Sequence, residues 1–318
     1  MSFPVFLLAW LLFLGGASVL FAIFLGRRVA TTLPPQGQWL EVEGERIHYR
    51  ALGAGPPIVL LHGLGGNMRN FDHLPLKDLA TRHRLVLLDR PGSGHSPRAE
   101  DRHAEPAEQA RIVAGFIRAL QLAQPPLLAG HSLGGAIALA VALREPQALA
   151  GLALIAPLTH DVAEVPPNFK ALAIRKPWLR RTIAYTVAMP AGIARAKQAL
   201  AFIFAPEPPP RDFALRGGGL LGLRPQAFYG TSTDFCALEH RIAPQEARYG
   251  ELRLPVHVLY GDSDHVLDWK VHGQGLVDKV PQARLQLVPG AGHMLPVTQP
   301  ARTADFLRDA AAAAFGPR

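Results

Sequence analysis

A single cysteine, Cys236, occurs in 318 residues, which excludes an intramolecular disulfide framework. The chain also lacks any C-x-x-C pair, any H-E-x-x-H and any G-x-x-x-x-G-K-[ST]. No metal-ligand spacing or P-loop is therefore present, and no metal or cofactor is implied. Charge is sparse. Asp, Glu, Lys and Arg make up 18% of the residues against 49% hydrophobic, too apolar a composition for a disordered chain. The balance is +8 (33 basic minus 25 acidic residues). No Lys/Arg-rich tail concentrates it, which argues against a nucleic-acid partner. Length and apolar content fit one sizeable domain carrying an insertion, or two small domains.

What is present begins with residues 3–25, a run of 23 residues without a charge. At about 1.5 Å per residue, such a helix crosses a hydrocarbon core of roughly 30 Å. A cleaved signal peptide has a basic start and a shorter apolar core, about 7–15 residues. Here Met1-Ser2-Phe3-Pro4 carries no basic side chain, and Arg27-Arg28 follow the run instead. The expectation is a retained single-pass anchor over residues 1–28. Its two arginines favour an outside N-terminus and a cytoplasmic remainder. Residues 29–37 read as a linker.

Beyond the linker, apolar runs alternate with helix-length amphipathic stretches. Strands are expected at 39–42, 46–51, 58–61, 85–88, 127–129, 152–155, 256–259 and 285–288. Helices are expected at 71–80, 107–120, 134–144 and 300–314. Continuously apolar strands separated by helices imply an α/β fold with a mostly parallel sheet covered on both faces. About a hundred residues without a comparable strand separate Ile155 from Val256, far more than an ordinary connection. Residues 158–250 are thus read as an inserted helical lid between two parts of one core, 38–157 and 251–318.

Gly130-His131-Ser132-Leu133-Gly134 is a G-x-S-x-G sequence between an apolar strand and an Ala-rich helix. A sharp strand-to-helix turn holds a serine clear of the sheet, with glycines at both ends to relieve crowding. The Leu133 N–H, at the helix start, points to where an oxyanion would form. On these residues the chain resembles the α/β-hydrolase family, in its serine hydrolase branch, from about Trp39 to Ala314 apart from the insertion. His62-Gly63-Leu64-Gly65-Gly66 is similar to the family's oxyanion loop, which implies Leu64 N–H as the second oxyanion donor; His62 itself reads as structural. Asp89-Arg90-Pro91-Gly92-Ser93-Gly94-His95-Ser96 matches a family loop and is read as a fold marker without chemistry.

A serine needs a base, and the base a carboxylate that holds its tautomer. The family order is serine, acid, histidine. The resemblance puts the acid three residues beyond Gly261 in Gly261-Asp262-Ser263-Asp264-His265, which implies Asp264, and the match of Pro289-Gly290-Ala291-Gly292-His293 to the family's G-x-G-H loop implies His293. Asp262 is the alternative acid; it and Asp268 also read as surface carboxylates or helix caps. A G-x-G-x-x-G match at 217–222 follows Pro208-Pro209-Pro210-Arg211 rather than a strand, so it does not read as a dinucleotide site. The resemblance implies ester hydrolysis through an acyl-enzyme, without a cofactor. Alternatives on the same fold are a serine-dependent C–C bond hydrolase, a cofactor-free haloperoxidase or perhydrolase, and a membrane-tethered binding protein.

Residues 165–206 contain no Asp or Glu but carry Lys170, Arg175, Lys176, Arg180, Arg181, Arg195 and Lys197, interleaved with apolar residues. Two readings stand side by side: a solvated lid face, or a basic amphipathic surface resting on anionic lipid. The layout of anchor, core and lid resembles that of membrane-anchored monoacylglycerol lipases.

Overall fold

The computed structural model describes residues 3–162 and 166–316. The outermost residues of the expected anchor and core, and Val165 at the head of the acid-free stretch, lie outside the described residues.

All eight expected strands form, and they join one sheet: β1 (Gln38–Val42), β2 (Glu45–Leu52), β3 (Pro57–Leu61), β4 (Arg84–Leu88), β5 (Leu127–His131), β6 (Gly151–Ile155), β7 (Val256–Gly261) and β8 (Arg284–Val288), in the order β1-β2-β4-β3-β5-β6-β7-β8. Only β2 runs against its neighbours among the described residues; β4, β3, β5, β6, β7 and β8 are parallel. The central strands β3, β5 and β6 are buried along their whole length, because helices cover both faces. At the edges, β1 and β8 alternate between more and less exposed positions.

The helices are α1 (Phe3–Thr32), α2 (Leu76–Leu79), α3 (Pro106–Ala119), α4 (Leu133–Arg144), α5 (Pro177–Thr186), α6 (Ala188–Phe204), α7 (Pro225–Ala237), α8 (Ile242–Glu246), α9 (Gly275–Lys279), α10 (Leu295–Thr298) and α11 (Pro300–Phe315). The helix expected over 71–80 is instead a 3₁₀ turn at Met68–Phe71 and the single turn α2, with Pro75 between them. Asn67 caps the 3₁₀ turn through Arg69 N–H, and proline cannot continue a hydrogen-bonded ladder.

α1 is long and apolar enough to cross a membrane. It also runs further than expected, through residues 29–32 of the proposed linker. Nothing stops it before Leu33-Pro34, where the proline disfavours helical backbone in the preceding residue. Thr31 and Thr32 hydroxyls bond back to the Arg28 carbonyl. Val29 and Leu33 then pack on Leu221 of the insertion.

Between β6 and β7 the described chain is helical, with no strand: α5 to α8 and short 3₁₀ turns. Two of the basic residues grouped above are not free surface charges. Arg180 is buried, bonded to the Ile174 carbonyl at 2.8 Å, Thr233 at 2.8 Å and Asp101 at 3.3 Å. Arg175 pairs with Glu239 at 2.5 Å. The sequence pattern grouped them with the other five because their side-chain partners Asp101, Thr233 and Glu239 lie outside the acid-free stretch.

Candidate active site

β5 ends at His131 and α4 begins at Leu133, leaving Ser132 at φ 55°, ψ −119°. A non-glycine residue there costs about 1–3 kcal/mol and needs surroundings that enforce it. They do so by hydrogen bonds. Ser132 N–H donates to the Ile155 carbonyl at 3.0 Å, and its own carbonyl accepts from Gly135 at 2.9 Å and Leu158 at 3.0 Å. The flanking glycines are obligatory here: a Cβ on Gly130 would lie 2.4 Å from the Gly134 oxygen, and one on Gly134 would lie 2.3 Å from the Leu61 oxygen. Leu133 opens α4, so its N–H belongs to the first turn, which has no acceptor within the helix.

The loops after β7 and β8 meet beside this turn. His293 Nδ1 and Asp264 Oδ2 are 2.7 Å apart, and both side chains are nearly closed to solvent. The other carboxylate oxygen of Asp264 accepts from Val266 N–H at 2.7 Å and Leu267 N–H at 3.0 Å. Burial opposes ionisation of Asp264, but the adjacent His293 and these hydrogen bonds outweigh it and hold the carboxyl below its usual range. Asp262 does not join them. It accepts from Gly290 N–H at 2.7 Å and Ser263 at 2.9 Å, tying the two loops together at the surface. Asp268 caps the turn at Lys270 N–H.

His131 bridges the serine turn to the histidine loop. Its ring centroid is 4.9 Å from that of His293, and its Nε2–H donates to the His293 carbonyl at 3.0 Å. Burial, with His293 close by, pushes the His131 pKa down to about 3, so the ring stays neutral and keeps that donor role.

On the opposite side, the loop after β3 presses on the serine: a Cβ on Gly63 would lie 2.9 Å from Ser132 Cβ. This places the Leu64 segment next to Ser132. Arg90 holds the loop from beneath, donating to the His62 carbonyl at 3.0 Å and the Gly63 carbonyl at 2.8 Å. His62 is buried with its ring spent on backbone, Nδ1–H to the Gly63 carbonyl and Nε2 accepting Arg90 N–H. Arg90 is itself fully buried and reaches Gln109 at 2.5 Å and Asp234 of α7 at 3.1 Å; Arg98 also binds Asp234.

Two contributors were not found from the sequence. The 89–96 loop is more than a fold marker, since Arg90 ties the glycine loop to the lid. An arginine at the end of a buried apolar strand signals a partner, although nothing local names Asp234. Glu207 of the insertion accepts from Gly292 N–H at 3.0 Å, Thr298 at 2.8 Å and Gln299 at 2.7 Å, bracing the loop before His293. The glycines at 217–218 give their carbonyls to Asn70 and Asn67, at 2.8 and 3.1 Å. Thus Ser132, His293, Asp264, Leu133 and Leu64 gather where β3, β5, β7 and β8 end.

The family model described as the alpha/beta hydrolase fold matches residues 56–300. The chain belongs to the α/β-hydrolase family. This α/β-hydrolase is 40% identical over 126 residues to the dihydrolipoyllysine-residue acetyltransferase component of the acetoin cleaving system of Pseudomonas putida; the match covers 38% of the chain and only 33% of that protein. Among solved structures, an α/β-hydrolase fold protein from Burkholderia ambifaria superposes with a TM-score of 0.71 at 25% identity, covering 86% of the chain and 97% of that structure. A membrane phospholipase A superposes with a TM-score of 0.69 at 24% identity, covering 99% of this α/β-hydrolase and all of that structure. That second fold likeness therefore extends through the N-terminal helix.

Proposed function

We propose that this hydrolase cleaves carboxylic esters through an acyl-enzyme on Ser132, with His293 as base and Asp264 as its orienting acid. The observation that carries the reading is the 2.7 Å Asp264–His293 pair beside a serine held at φ 55°. With Nδ1–H given to Asp264, His293 keeps its Nε2 lone pair for the Ser132 proton. Ser132 Oγ attacks the ester carbonyl, and the developing oxyanion is stabilised by Leu64 and Leu133 N–H groups. Collapse expels the alcohol, which takes the proton from His293. Water then repeats the sequence on the acyl-enzyme and releases the acid. Charge on the imidazolium is balanced by Asp264 throughout.

Substrate class follows from α1 and the lid. An apolar helix long enough to span a bilayer supports a retained anchor, with Arg27 and Arg28 favouring a cytoplasmic catalytic domain. The ester is then one presented by the membrane, of monoacylglycerol type. A fluorophosphonate probe and a p-nitrophenyl ester panel test the reaction. Labelling that maps to Ser132 and turnover of esters support it. Turnover of a vinylogous diketone alone, or peroxide-dependent bromination alone, would replace it with the C–C hydrolase or the haloperoxidase reading. A folded protein inert to the probe would make it a binding protein.

A further inference from the structure

The second half of α1 is not free to be surrounded by lipid. One face, formed by Ser18, Ala22, Gly26 and Val29, turns toward the lid. Ala22 and Val29 are buried, Gly26 approaches Pro225, and Ser18 Oγ–H donates to the Thr186 carbonyl at 2.6 Å. The opposite face keeps Leu20, Phe21 and Phe24 exposed. The end of α5 therefore lies level with Ser18. That is seven residues, or about 10 Å, beyond Leu25 toward the middle of the apolar run.

The lid is built differently at this corner from elsewhere. Residues 182–194 carry no charge, yet Arg181 precedes them and Arg195 follows. Val187, just past the end of α5, is 56% exposed, and Ile193 on α6 and Trp178 at the start of α5 are exposed as well. Between α1 and α5 runs an open groove of about 540 Å³, lined by Val19, Trp178, Arg181, Thr182, Tyr185 and Thr186. In water, this apolar corner and the exposed face of α1 are both unfavourable surfaces.

We propose that the α5–α6 corner, residues 182–194, is inserted in the bilayer alongside α1, with a lipid chain filling the groove and Arg181 at headgroup level. The inference rests on α1 being the membrane-spanning segment. Insertion of about 5–10 Å is normal for an amphipathic helix lying in the interface, and a long arginine side chain reaches the headgroups from that depth. The basic residues then rim an apolar wedge rather than forming a purely electrostatic platform, and contact persists in high salt.

Nitroxide depth measurements test this on the full chain in phosphatidylcholine/phosphatidylglycerol vesicles. In a Cys236→Ser background, single labels are placed by Leu14→Cys, Val187→Cys, Ile193→Cys and Arg302→Cys, and only proteins that melt with the parent's midpoint are used. Labels at 187 and 193 should fall between the mid-membrane Leu14→Cys and the exposed Arg302→Cys, with raised collision rates for oxygen and nickel-chelate rates about fivefold below those at Arg302→Cys, as for sites buried in the interface. The pattern should persist at high salt. Aqueous behaviour at 187 and 193 with Leu14→Cys in lipid overturns the inserted corner alone. Aqueous behaviour at Leu14→Cys overturns the anchor, and the corner with it.

Discussion

Glu207 of the lid accepts a hydrogen bond from the backbone N–H of Gly292, the residue before His293, at 3.0 Å. The loop that carries the proposed base is thus held by a carboxylate from the insertion and not only by the core. Glu207→Ala should lower kcat on a soluble ester by roughly tenfold, since small displacements of a catalytic group are costly, with a smaller change in KM. Glu207→Gln should recover most of the loss, because its oxygen still accepts from Gly292 once Gln299 turns its amide. Steady-state kinetics on the two variants checks this; equal damage in both would mean that the negative charge, not the brace, matters.

Ser132→Ala should abolish probe labelling and reduce ester turnover by on the order of 10⁴–10⁶, and His293→Ala by a comparable factor, since triad members act as a unit. Asp264→Asn should cost on the order of 10⁴ by the same logic. Asp262→Asn should stay within a few-fold, because Asp262 only ties Gly290 to Ser263. Reversal of the two aspartate variants would move the acid to Asp262.

His62 and His131 are buried, and burial lowers both to a pKa of about 3. Between the unfolded value near 6.5 and the folded value, the unfolded chain binds more protons, so stability rises with pH across that window and falls on acidification through it. Each contributes a slope of up to about 1.4 kcal/mol per pH unit. Asp264 acts lower on the scale. Its carboxyl is depressed, so its stabilisation is full above the unfolded carboxylate value and is lost as pH falls through the folded one. Urea midpoints from pH 7 to pH 4 should fall steadily, and less steeply in His131→Gln.

Asp234 takes Arg90 and Arg98, and Arg90 and Asp234 are both fully buried. Asp234→Asn should destabilise the protein by about 3–5 kcal/mol, since removing one partner leaves buried charge uncompensated. It should also lower activity in the remaining folded protein, because Arg90 anchors the His62 and Gly63 carbonyls. Chemical denaturation with parallel kinetics separates the two effects.

Removing residues 1–32 should not be neutral. The cut deletes Ala22 and Val29 and uncovers Leu221, and each large apolar side chain exposed costs about 1.5–3 kcal/mol. The truncated protein should melt several degrees below the full chain in detergent, with its lid most sensitive to protease. An unchanged midpoint would show that α1 contributes nothing to the lid.

Much of this protein is legible from short stretches. Apolar runs such as Ile58-Val59-Leu60-Leu61 and Leu85-Val86-Leu87-Leu88 announce buried strands because burial on both faces leaves no polar position. Gly130 and Gly134 announce the serine turn because backbone packs where a Cβ would stand. Those are local constraints, and a linear chain records them directly. It does not by itself record which of Asp262, Asp264 and Asp268 meets His293; all three lie within one loop, the family resemblance is what implied Asp264, and the adjacency of β7 and β8 brings that residue to the ring. The same holds for Arg90 with Asp234, Gly292 with Glu207, and Ser18 with Thr186, separated by 144, 85 and 168 residues. Ion pairs and helix contacts of that span depend on distances in space, so the composition of residues 165–206 left a solvated lid face and a basic amphipathic surface side by side. Tertiary packing instead buried Arg180 and set the end of α5, at Thr186, against Ser18 of the apolar helix.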